Sequence, residues 1–562
     1  LTGDGGNNVI EGGLGNDTLD GGAGADTASY AFSTGAVTAS LATGTASGAE
    51  GNDTLSNFEN LAGSSYNDTL TGDASANVID GGAGDDLIDG GGGADTLRGG
   101  SGTDTLSYAS LGAGVTVTLN TSDSNGATLA GFENVIGSVY ADTITGDAFA
   151  NTIDGGAGND TLDGGGGVNT VSYASASSAV TVDLSSAGVN ATGGGGSDQL
   201  SNFSNIIGSA YADTLTGDGG ANLLEGGLGA DTFDGGAGTD TASYANSGGA
   251  VTVSLLAGAT NTGWDAAGDV FVRSGAYSTV ENLIGSSYGD TLTGDSGANA
   301  IDGGAGNDTI VGGAGADTLT GGAGIDTLSY ASATGGITAN LTSASYRGVN
   351  QGAAYSGYGG ANDAQGDIVS GFENLTGSAY NDALMGSTDN NVLTGGGGND
   401  LMWGDAGNDT LYANVGKDTA YGEAGDDTFY VDAAVANLPT LVDGGSDSGL
   451  ASSGGDTLIL RGLSAGGYNL NSLAAVTNYM EILDIRDGVN TALTLTSADV
   501  RAFVDGGNSS RMVVRTNAGD SLSISTAAGE TVQSVAVSAS QTDYLVFNNT
   551  GAQVAQIHWQ VG

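Results

Sequence analysis

Residues 81–107 read GGAGDDLID, GGGGADTLR and GGSGTDTLS, three nine-residue units in one phase. Each opens with two glycines and has glycine at place four, aspartate at place six and an aliphatic residue at place eight. Glycine there permits positive φ and close backbone approach, so the first six residues make a tight turn. The last three, such as Thr96-Leu97-Arg98, suit a minimal strand with Leu97 pointing inward. Two units make one flat coil, and coils stack at the strand spacing of about 4.8 Å. Place eight then lines a narrow internal ladder, and place six gathers carboxylates and exposed carbonyls between stacked turns.

The phase starts at Gly3 and returns in blocks beginning at Gly63, Gly137, Gly208, Gly285 and Gly377. Strict GGxGxD units place Asp17, Asp26, Asp86, Asp95, Asp104, Asp160, Asp231, Asp240, Asp308, Asp317, Asp326 and Asp400 at place six. Degenerate units add Asp409, Asp418 and Asp427, and Asn169 interrupts the series. The later blocks open on GSxYxD, with Asp68, Asp142, Asp213, Asp290 and Asp382. There tyrosine replaces the fourth glycine, which leaves two readings, cage ligand or turn former. Between blocks run inserts that start at SYA (Tyr30, Tyr108, Tyr173, Tyr244, Tyr330), continue as alternating runs such as GVTVTL, and end at FENL or a variant. The insert tyrosines are expected to pack rather than ligate.

One buried aliphatic residue per unit, roughly 1.5–3 kcal/mol, is set against ordering nine backbones at roughly 1–2 kcal/mol each. The ladder therefore needs a further staple, and with no cysteine it is not a disulfide. A net charge of −55 requires counter-cations at defined places. Stacked aspartates and carbonyls form an all-oxygen, multidentate cage that suits Ca²⁺ better than Mg²⁺ or a transition metal.

These units resemble the repeats-in-toxin (RTX) family of haemolysin-type calcium-binding repeats, over residues 3 to about 430. The resemblance implies a parallel β-roll with Ca²⁺ between turns, and export by type I secretion machinery reading an uncleaved C-terminal signal. Residues 478–500 are similar to the C-terminal region of large RTX surface proteins and adhesins. The inserts depart from a plain roll, so the coil there is expected to be wider and less calcium-dependent.

The expected fold is all-β: a calcium-stabilised parallel β-roll or solenoid over 1–430, then a C-terminal β-sandwich-like domain over 431–562. That boundary rests on the end of the nonapeptides, the single proline Pro439, and short alternating runs such as DTLIL and RMVVRT, which suggest antiparallel strands. The C-terminal domain is expected to cap one end and to carry the secretion signal.

The charge excludes nucleic acid as a partner. No apolar run is long enough to insert in a membrane. The one histidine, His558, rules out HExxH and is expected in a strand; no G-x-S-x-G nucleophile elbow is expected. Two functional readings follow. One is a secreted structural surface protein (surface layer, sheath, filament or adhesin) that self-associates outside the bacterial cell. The other is the calcium-binding export module of a larger secreted enzyme, with catalysis upstream of Leu1. Carbohydrate or ice binding by the threonine-bearing faces is disfavoured because the threonines are scattered.

Overall fold

The computed structural model describes residues 1–275, 277–341, 353–356, 363–432 and 439–445, and shorter stretches between 455 and 561. Among them strands abound and no helix occurs. The chain divides into two compact units, residues 1–249 with 257–282, and 250–256 with 283–562.

In the first unit the last three places of each nonapeptide are strands, such as Thr69–Thr71, Leu87–Asp89 and Thr105–Ser107. They pair in parallel, with Leu70 beside Ile88 and Ile88 beside Leu106. The intervening units build the opposite face in the same way, with Leu61 beside Ile79 and Ile79 beside Leu97. Two nonapeptides thus make one coil, and place eight points between the faces: Leu70, Ile79, Ile88 and Leu106 are fully buried. Side-chain alternation in a short strand sends only the central residue inward.

Each insert extends one face. Thr116–Thr118 and Thr128–Ala130 each run antiparallel to Ser122–Asp123 between them. The first pairs in parallel with Thr143–Thr145 and the second with Thr96–Arg98. Val180–Asp183, Val189–Gly193 and Gly196–Ser201 repeat the arrangement. The expectation of a wider coil is corrected: the insert adds strands along the ladder, because both edges of its alternating run find partners with unpaired backbone groups. Most of the long loop at 346–367 lies outside the described residues.

The second unit continues the design. One face stacks Leu292, Ile310, Leu328, Leu375, Leu393, Leu411 and Phe429 in parallel register. Beyond residue 431 the same ladder runs on through Leu458, Leu483 and Val514. Among the described residues beyond 431, antiparallel pairing appears in Thr531–Ser538, Gln541–Phe547 and Gln553–Val561, the last of which also pairs in parallel with Arg511–Thr516. The expected sandwich is not confirmed by the described strands, which beyond 431 pair mostly in parallel. Alternation reports a half-buried strand but not the direction of its neighbour. His558 lies in the last of these strands.

Candidate metal centre

Stacking brings the place-six aspartates into columns on each side of the coil. One carboxylate oxygen, Oδ1, accepts the N–H of the place-six residue one coil earlier. Asp86 accepts from Asp68 at 2.8 Å, Asp104 from Asp86 at 2.8 Å, Asp160 from Asp142 at 2.8 Å and Asp326 from Asp308 at 2.8 Å. The second oxygen has no protein partner. Oδ2 of Asp17, Asp26, Asp86, Asp104, Asp160, Asp231, Asp240, Asp308, Asp317, Asp326, Asp400 and Asp409 is buried without a hydrogen bond. A buried, unpaired carboxylate oxygen is costly unless a cation meets it.

That oxygen lies against the place-one glycine. A Cβ on Gly81 would fall 2.3 Å from Asp86 Oδ2 and 2.4 Å from the carbonyl oxygen of Gly99 in the next coil. On Gly303 it would meet Asp308 Oδ2 at 2.5 Å and the Gly321 carbonyl at 2.4 Å. Positive φ belongs to places two and four, as at Gly82 (107°) and Gly84 (109°), so place one is glycine for space alone. At place two Asp405 and Glu423 carry φ of 80° and 75°, a conformation glycine adopts at less cost.

Gly81→Ala is expected to crowd the oxygen-lined gap, costing about 1–3 kcal/mol by overpacking alone and weakening the local cation. Gly92→Ala, at place three, is expected to leave the melting temperature unchanged or slightly raised, because its Cβ would meet nothing nearer than 3.7 Å. Thermal melts of the two variants in calcium check the contrast, and equal losses would count against the gap.

Burial pushes these carboxyls up: Asp86, Asp160, Asp317, Asp400 and Asp409 to about 7 and Asp231 to about 8, against an ordinary 3.8. A backbone N–H bond opposes the shift in each, and neighbouring carboxylates add to it. Among the described residues no three His, Cys, Asp or Glu side chains converge on one point. The donor set is thus carboxylate oxygen supplemented by backbone carbonyls, hard and flexible, which fits calcium.

The GSxYxD aspartates differ. Asp68 accepts the Val37 N–H at 2.7 Å and the Ser64 hydroxyl at 2.9 Å on Oδ1, and the Ser64 N–H on Oδ2. Asp142 (Val115, Ser138), Asp213 (Val180, Ser209), Asp290 (Val251, Ser286) and Asp382 (Ile337, Ser378) repeat this. Both oxygens are occupied in tying the turn to the first strand of an insert.

Sequence reasoning missed a second set of acids, Asp53, Asp198, Asp269 and Asp367. Each accepts the N–H of a place-six aspartate on Oδ1 and a tyrosine hydroxyl on Oδ2, from Tyr30, Tyr173, Tyr244 and Tyr330 respectively. All five insert tyrosines are buried, as packing predicts, and these four in addition close a carboxylate. The missed signal was spacing: Asp53, Asp198 and Asp367 each stand five residues before Phe58, Phe203 and Phe372. Also missed were Asn77, Asn151, Asn222 and Asn391 at place six, whose Nδ2 groups donate to the carbonyls of Glu59, Glu133, Ser204 and Glu373. The expectation of no G-x-S-x-G is wrong, since residues 285–289 and 462–466 have it. The first string is a GSxYxD turn between strands; the second lies outside the described residues.

The family model for RTX calcium-binding nonapeptide repeats in four copies matches residues 1–28, 57–88, 72–106, 136–171, 207–242, 278–310, 293–328, 376–411 and 403–433. No curated protein matches the chain significantly. RTX repeats are a structural calcium-binding motif, typical of type I-secreted extracellular proteins. Phase, stacked aspartates, oxygen-lined gaps and the family match agree: this is an RTX-type protein whose nonapeptide repeats bind multiple calcium ions.

Proposed function

We propose that this protein is a secreted structural component of a bacterial surface, non-catalytic in itself, which folds and then self-associates on meeting extracellular calcium. The observation that carries the reading is the column of buried carboxylates, each with one oxygen lacking a protein partner. The strict GGxGxD aspartates, Asp409 and Asp427 are the ligands; Asp418 shares their place in the coil. The GSxYxD aspartates do a structural job, because the protein already occupies both of their oxygens. Extracellular calcium modules have dissociation constants of roughly 10⁻⁴–10⁻³ M. In cytosol the polyanion stays extended and exportable; outside, ion uptake and folding are one event.

Residues 431–562 are assigned the secretion signal and an end cap. The antiparallel strands that finish the ladder support the cap, since an uncovered strand edge invites pairing. No helix among the described residues is long and apolar enough to cross a membrane.

Electron microscopy of the purified protein in millimolar calcium and in chelator tests the assembly. Ordered sheets or fibres that dissolve on chelation are expected. Dispersed particles in both conditions would overturn assembly and favour a passive export module for an attached enzyme.

A further inference from the structure

Each insert ends on an acidic residue or its replacement, Glu59, Glu133, Ser204, Glu281 and Glu373. The last place-six residues before those inserts are Asp26, Asp104, Asn169, Asp240 and Asp326. In four blocks the glutamate Oε2 accepts the N–H of that aspartate, at 2.8 Å for Glu59, Glu133 and Glu281 and 2.7 Å for Glu373. This is the bond that an aspartate Oδ1 makes between plain coils. The glutamate therefore occupies place six of the insert's coil, with one more methylene of reach.

The rest of the plain-coil geometry is also reproduced. Asp26, Asp104, Asp240 and Asp326 are 0% exposed, and Oδ2 of each has no hydrogen-bond partner. An insert carbonyl takes the position held elsewhere by the next place-one glycine. A Cβ on Gly21 would fall 2.0 Å from the Asn57 oxygen. On Gly99 it would meet the Gly131 oxygen at 1.9 Å and Asp104 Oδ2 at 2.6 Å. On Gly235 it would meet the Thr279 oxygen at 2.1 Å and Asp240 Oδ2 at 2.6 Å. On Gly321 it would meet the Gly371 oxygen at 1.8 Å and Asp326 Oδ2 at 2.9 Å. Carboxylate and carbonyl oxygens that face each other across so small a gap repel unless something positive lies between them.

The third block exchanges both acids together, Asn169 for the aspartate and Ser204 for the glutamate. Asn169 Nδ2 donates to the Asn202 carbonyl at 3.0 Å and to the Gly166 carbonyl at 3.1 Å. Asn202 O is the equivalent insert carbonyl, 2.4 Å from a Cβ built on Gly164. An amide donor here satisfies directly the acceptor that an oxygen faces in the other four blocks.

We infer that Glu59, Glu133, Glu281 and Glu373 complete four calcium sites with Asp26, Asp104, Asp240, Asp326 and the insert carbonyls, and that the third block has replaced its ion with the Asn169 amide. The inference rests on the calcium reading of the plain coils. It reverses the expectation that inserts are less calcium-dependent, because each of these ions clamps an insert to the coil before it.

The test counts calcium per full-length chain by equilibrium dialysis and elemental analysis at saturation. Glu59→Gln, Glu133→Gln, Glu281→Gln and Glu373→Gln combined should cost four ions, one per glutamate. Glutamine keeps the length and the acceptor for the N–H, so a merely hydrogen-bonding role would leave the count unchanged. Asn169→Asp with Ser204→Glu should gain one ion, which keeps the test open if the fourfold variant fails to fold. An unchanged count in the folded fourfold variant, or no gain in the double variant, overturns the inference. A wild-type chain that binds no stoichiometric calcium would instead remove the plain-coil reading beneath it.

Discussion

Exhaustive chelation is expected to abolish the β-sheet circular dichroism and the cooperative melt of this protein, and calcium to restore both. The reason is the carboxylate columns. Asp86, Asp104, Asp160 and Asp308 are at most 1% exposed and each presents an unpaired oxygen beside other acids. Each bound ion at one hundred times its dissociation constant stabilises the fold by about 2.7 kcal/mol. A few such ions match the roughly 5–15 kcal/mol that holds an ordinary domain together. Magnesium should not substitute, because it demands near-octahedral geometry and gives up water reluctantly. An unchanged spectrum and melting temperature in chelator would end the calcium account.

Acidification should act with opposite signs in the presence and absence of calcium. The folded-state carboxyls of Asp86, Asp160, Asp317, Asp400 and Asp409 sit at about 7 and Asp231 at about 8, all above the 3.8 of an unfolded chain. A carboxyl raised on folding favours the fold fully below its unfolded value, and that contribution is lost as pH rises through the folded one. Calcium-free protein should therefore gain structure as pH falls from about 8 to about 4. With calcium the ligands must be ionised, so proton and ion compete and apparent affinity should weaken over the same interval. Circular dichroism of the chelated protein across that range checks the first half. Proton release on adding calcium to unbuffered protein near neutrality checks the second. A chelated chain indifferent to pH would show that the columns are not desolvated as described.

Much of this was legible in the sequence because a nonapeptide is self-contained. Its turn, strand and inward residue are set within nine positions, so Leu70, Ile88 and Leu106 were placed by counting. The place-six aspartates followed from the same phase. What counting missed was whatever depends on a partner beyond an insert. Glu59 reaches Asp26 and Asp53 reaches Asp17 across stretches whose length differs from block to block. The tyrosines read as packing because nothing local announces the carboxylate beneath Tyr30 or Tyr330. Beyond residue 431 the runs DTLIL and RMVVRT alternate as a strand of either polarity would, and their parallel direction is set by neighbours 29 and 31 positions away, Phe429 beside Leu458 and Leu483 beside Val514.

The two-unit coil also governs how such a gene can grow. Every place-six bond within a block spans 18 positions, joining a turn to the turn above it on the same side. Inserting or removing a whole coil leaves each neighbour facing an equivalent neighbour, so length can drift in steps of 18 at little energetic penalty. A single nonapeptide more or less sends every later strand to the opposite face, and the chain holds both parities, five units from Gly63 and four from Gly137. Copy number in this architecture can thus change one turn at a time, each odd step moving the next insert to the other face, as between Val37–Ser40 and Thr116–Thr118.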